Sequence, residues 1–155
     1  MEKLLRQVRE LEMRISDYAT CEPTVSAANI GWHVEHSLMV FVTIVTALEN
    51  SDPALYKGSF NMNKFLVYAL NKIPRGRGKA PKVVQPPGES MPENVVPQVE
   101  KAIAKIKVLE GLQKNHHFPH PYFGKLNLKE TIKFLTIHTK HHLKIIDDIL
   151  KVKTA

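Results

Sequence analysis

The sequence predicts an all-α protein: an antiparallel four-helix bundle with an extra short helix and a long Pro/Gly-rich loop. Three observations predict it. Apolar residues recur at helical spacing through four long segments, no stretch alternates as a half-buried strand would, and proline and glycine concentrate in the connections. A chain of 155 residues without internal repeats is read as one domain, 1–155, large enough to bury a core.

Residues 2–18 place Leu4, Leu5, Val8, Leu11, Met13 and Ile15 at helical intervals. "CEPT" breaks that helix, and Thr24 is the expected N-cap of a second helix over 25–49. The second helix is apolar over most of its circumference, which marks a central helix of a bundle. "NSDPALYKGS" connects it to a short helix over 61–73. The Pro/Gly-rich stretch 74–91 shows no periodicity and reads as a surface-exposed loop, and loops of this length inside a compact domain are often functional. A helix over 94–114 follows, then a second connection, "HHFPHPYFGKL", rich in proline and aromatics. "NLKE" at 127–130 has the form of a capping box, with Asn127 as cap and Glu130 reaching back, ahead of the last helix over 128–151.

Composition narrows the function. The net charge of +7 is concentrated: "KIPRGRGKAPK" at 72–82 holds five cations and no acid, leaving +2 (7 − 5) for the remainder. One basic loop is a local anion site, with Arg75, Arg77 and Lys79 as candidates, more naturally than a nucleic-acid face. No aromatic–basic interleaving supports stacking on bases, so no nucleic-acid partner is expected. The longest apolar run, "LMVFVTIVTAL" at 38–48, is about half a membrane span, and the charged N-terminus does not read as a signal peptide. The expectation is a cytoplasmic protein without a membrane partner, with a homodimer as the assembly to test. The single cysteine, Cys21, rules out an intramolecular disulfide and a thiolate zinc site.

The histidines carry the chemistry. On the last helix, with His138 placed at zero, His142 falls near 40°, Ile145 near −20° and Ile149 near 20°, while the lysines 129, 133, 140, 144 and 151 fall near 180–240°. His138 and His142 therefore sit within the buried stripe, one turn apart, and His141 sits at its edge. Two histidines at i and i+4 can reach one metal ion, although the glutamate of an HExxH helix is missing here. On helix 25–49, His36 shares a face with His33, Val40 and Thr43, and a bundle can bring that face against the stripe. A lone buried histidine is usually a core residue with a hydrogen-bond partner. Three buried rings cost several kcal/mol unless each is satisfied, and one ion can satisfy them together. Such a site requires the three nitrogens to converge within about 4.5 Å, given Zn–N bonds near 2.1 Å. "NHHFPHPYF" adds His116, His117, His120 and Tyr122 as rim candidates, alongside the simpler reading of a pinned surface loop.

The pattern of Trp32 and His36 in "WHVEH", with His138 and His142 in "HTKHH", resembles the DinB-like (YfiT-like) metalloenzyme superfamily. "KFLVYALNKIPRGRGKAPKVVQPP" and "HPYFGKLNLKETIKFLTIHTKHHLKII" are similar to one uncharacterised branch of it, so the resemblance covers nearly the whole chain. It implies a DinB/YfiT-like bundle holding a divalent metal, zinc or nickel, on His36, His138 and His142 with an open coordination position. His33 and His141 lie beside the pattern as second-shell candidates. The resemblance further implies a metal-dependent enzyme acting on a small molecule, as a transferase or isomerase using a low-molecular-weight thiol, and a metal-dependent hydrolase stays open beside it. The alternative is a non-catalytic, metal-stabilised bundle that binds an anionic partner through its basic loop.

Overall fold

The computed structural model describes residues 1–76, 80–86 and 91–153. Among them it is mostly helical, with five α-helices and one small two-stranded sheet. α1 (Glu2–Glu12) turns Leu4, Val8 and Leu11 inward, and Gln7 donates to the Thr136 carbonyl. The chain then tightens into a 3-10 turn at Ile15–Asp17 instead of continuing as α-helix to residue 18. That turn seats Tyr18 inside the fold, its ring against Gly31 and its hydroxyl donating to Glu35. A Cβ at Gly31 would lie 2.4 Å from the Tyr18 ring, so only glycine fits there.

α2 (Ile30–Glu49) begins five residues later than the expected 25. Thr24 is not its cap: its backbone N–H and hydroxyl both bond Glu22, closing a turn. Asn29 takes the role, accepting from the Trp32 N–H at 2.8 Å. The central position holds, since α2 packs on α4 (Val95–Gly111) and α5 (Leu128–Lys153), and α1 packs on the same two helices. α2 is also the one described helix long and apolar enough to cross a membrane, but most of it is buried inside the fold as a core helix.

α3 (Met62–Leu70) is capped by Asn61 and ended by Asn71 in the left-handed region at φ 50°. Val67, Tyr68 and Lys64 turn inward, with Lys64 paired to Glu130 at 2.7 Å, while Met62, Phe65, Leu66 and Leu70 face outward. The stretch 74–91 departs from a purely exposed loop. Pro74, Arg75 and Gly76 are exposed, but Val84 and Pro86 are buried against the helices.

The two strands, β1 (His117–His120) and β2 (Gly124–Asn127), correct the expectation of no sheet. They pair antiparallel, Phe118 opposite Leu126 and His120 opposite Gly124, with Gly124 opening β2 at φ 72°. Four-residue strands containing Pro119 and Gly124 carry no alternation that a sequence pattern could register. The capping box is present in both arms: the Glu130 N–H donates to Asn127 Oδ1 at 2.9 Å, and the Asn127 N–H to Glu130 Oε2 at 3.1 Å.

Candidate metal centre

α2 and α5 bring His36, His138 and His142 together, each ring offering one nitrogen, and the three nitrogens lie within 4.8 Å of one another. This is a few tenths wider than the 4.5 Å expected, and a bound tetrahedral ion needs nitrogens about 3.4 Å apart, so the rings would draw inward by about an ångström. His36 and His142 are buried, and His138 is partly exposed.

The chain fixes which nitrogen of His36 is free. His36 Nδ1 lies 2.7 Å from the Val84 carbonyl, which can only accept. Nδ1 therefore carries the proton, and Nε2 keeps its lone pair. His142 Nδ1 lies 2.9 Å from His33 Nδ1, and His33 Nε2 lies 3.0 Å from Ser26 Oγ. Metal binding at His142 Nε2 requires His142 Nδ1 to donate to His33 Nδ1 and His33 Nε2 to donate to Ser26 Oγ, a hydroxyl that is able to accept. His138 Nδ1 is buried with no hydrogen-bond partner. An orphaned imidazole nitrogen inside a cluster of three is the fit expected of a ligand set awaiting a cation.

Burial is the main cause keeping these rings neutral. It pushes the pKa of His138 and His142 well below the usual histidine range, with the neighbouring histidines adding to the effect. His36 is lowered by burial and partly restored by its bond to Val84, and His33 is lowered to about 4 by burial and then by the charge of its neighbours. Neutral imidazole is the form that coordinates metals. Trp32 stacks on His36, ring centroids 4.7 Å apart and planes within 12°, which holds the ring in place.

The triad lines a cavity of about 470 Å³ whose walls include Val40, Ile44, Ile73, Phe118, Phe123 and Phe134. None of its described lining residues is Asp, Glu, Lys or Arg. Glu35 is buried away from the triad, accepting from Tyr18 and from the Met91 N–H at 3.1 Å.

The second-shell candidates separate. His33 bonds His142 directly, whereas His141 donates to the Ile73 carbonyl and lines the cavity with its ring 5.1 Å from that of His142. The rim candidates separate as well. His116 bonds the Leu48 carbonyl and His117 bonds the Asn115 carbonyl, so both pin the chain. His120 and Tyr122 line the cavity. Arg75 is held by Asp148 at 2.6 Å, and is not free for an anion while that pair stands; Arg77 and Lys79 lie outside the described residues. Ser26 and the Val84 carbonyl escaped sequence reasoning. Ser26 reads as an ordinary turn residue, and a backbone carbonyl 48 residues from its histidine leaves no sequence signal.

No known protein family, curated protein or solved structure matches this chain.

Proposed function

We propose that this chain is a metal-dependent enzyme in which His36, His138 and His142 hold one divalent ion at the wall of an apolar cavity. The four long helices, α1, α2, α4 and α5, act as a DinB-like bundle that presents the site. The observation that carries this reading is the convergence of three histidine nitrogens within 4.8 Å, with the His36 proton held on the far side of its ring by Val84 and His138 Nδ1 orphaned. Three imidazoles without a cysteine or carboxylate suit zinc or nickel, and leave a coordination position for water or substrate. When bound, the ion supplies Lewis acidity and lowers the pKa of a coordinated water or thiol.

The protein's own residues do the remainder. Val84 and His33 orient the ligand rings, Trp32 braces His36, and the apolar walls exclude water so that charge developing at the site is poorly screened. No carboxylate lies beside the triad to serve as a general base among the described residues, which favours a nucleophile that needs none once ionised. A low-molecular-weight thiol meets that need better than water, so thiol-dependent transfer ranks ahead of hydrolysis. The site faces a cavity, and a metal that only stabilised the bundle would have no use for one. Metal analysis of protein purified without an affinity tag, followed by thiol-transfer and ester-hydrolysis panels on zinc-loaded and metal-stripped protein, tests the reading. Activity that needs both zinc and an added thiol supports it; equal activity in the stripped protein refutes it.

A further inference from the structure

We infer that His120 donates a hydrogen bond from Nε2 to the substrate, and that the substrate is a mainly apolar molecule carrying one accepting oxygen. This deepens the metal-centre reading and rests on it for the identity of the cavity, though its test does not.

The proton position follows from a backbone group. The Tyr122 N–H, which can only donate, points at His120 Nδ1 at 3.1 Å. Nδ1 is therefore the acceptor, and in the neutral ring the proton sits on Nε2. The ring stays neutral at physiological pH because burial lowers its pKa to about 4. It is held in place by the hairpin, stacked on Phe123 with centroids 4.3 Å apart and planes 8° apart, and edge-on to Phe134 at 4.6 Å. Among the described residues Nε2–H has no acceptor, and His120 lines the cavity, so an oxygen bound there can take its hydrogen bond. Phe134 in turn lies 5.6 Å from His138, so one aromatic ring separates this donor from the triad along the same cavity wall. A neutral imidazole placed this way polarises a carbonyl-type oxygen without adding a charge, a role that neutral histidines fill elsewhere.

The walls define the rest of the substrate. A cavity of about 470 Å³ suits a molecule of ordinary metabolite size. Its described walls are mainly aliphatic and aromatic, which suits an apolar body.

The chain carries its own reporter, since Trp32 is the only tryptophan and lines the cavity. We would titrate three probes of equal length, 2-octanone, octane and octylammonium, against full-length protein with and without zinc, following Trp32 fluorescence. The expected order is ketone first, about tenfold tighter than alkane from one added hydrogen bond, with the ammonium weakest. His120→Phe keeps the ring stacking and removes the donor. It should abolish the ketone advantage, leave octane binding within about twofold, and leave zinc content unchanged. His120→Gln, whose amide can donate, should restore part of the advantage. An undiminished ketone preference in His120→Phe, tighter binding of the ammonium, or no response to any probe would each overturn the proposal. If zinc fails to bind but the ketone advantage persists and depends on His120, the metal reading falls and the donor assignment stands.

Discussion

Replacing His33 with leucine should weaken metal binding without unfolding the chain. His33 is 4% exposed and lies 2.9 Å from His142 Nδ1, where it can accept the proton that leaves His142 Nε2 free for a metal. Leucine fills much of the same volume but leaves His142 Nδ1–H without an acceptor, a loss of roughly 1–3 kcal/mol for a buried donor. Outer-shell partners of ligating histidines independently account for roughly 10–100-fold in affinity, which is about 1.4–2.7 kcal/mol, so the two routes agree. The assay is competition for zinc against a chromophoric chelator, with far-UV circular dichroism as the check on folding. His33→Asn, which can accept through its carbonyl oxygen, should recover part of the loss. His141→Ala provides the contrast: its hydrogen bond goes to the Ile73 carbonyl and not to a triad nitrogen, so affinity should change less than about threefold. Wild-type affinity in His33→Leu, or an equal loss in His141→Ala, would refute the reasoning.

Three further outcomes follow from burial and packing. Gly31→Ala should destabilise the protein by roughly 1–3 kcal/mol in urea unfolding, because the new methyl meets the Tyr18 ring at 2.4 Å. Ile146→Ala, at a fully buried position of α5, should cost roughly 2–5 kcal/mol, while Phe65→Ser on the outward face of α3 should change stability by less than about 0.5 kcal/mol. Metal-free protein should lose stability as the pH falls from about 6.5 towards 4. In that window the unfolded chain binds protons that half-buried His120, with its pKa lowered to about 4, does not, so stability is complete above the unfolded value and declines below it. His120→Phe should make the decline of the melting midpoint shallower over that range; an unchanged slope would contradict the sign worked here.

Long amphipathic elements were legible because many residues vote on each. The lysine and isoleucine stripes of α5 set its orientation and placed His138 and His142 correctly, and both arms of the Asn127–Glu130 box form as read. Boundaries that depend on one local competition were not legible. Thr24 and Asn29 are both good caps, and Thr24 lost because Glu22 engages its backbone and hydroxyl, a preference set by the turn itself. The hairpin was hidden because His117–His120 is short and contains a proline. At the site, the convergence of His138 and His142 could be read from i, i+4 spacing, but the hydrogen-bond partners of the cluster could not. Val84 reaches His36 through its carbonyl, which any residue type supplies, and the choice between His33 and His141 depends on ring orientation that helical spacing does not fix.

Zinc titration of untagged protein and its three single-histidine variants tests the central claim most directly. Wild type should bind one ion per chain. His36→Ala, His138→Ala and His142→Ala should each lose at least about a hundredfold in affinity, the equivalent of a ligand bond replaced by a weaker donor. Their helical dichroism should persist, because the core around Leu38, Val45, Ile146 and Ile149 is aliphatic and separate from the rings. Zinc bound stoichiometrically and with undiminished affinity by any one of the three variants would contradict the account.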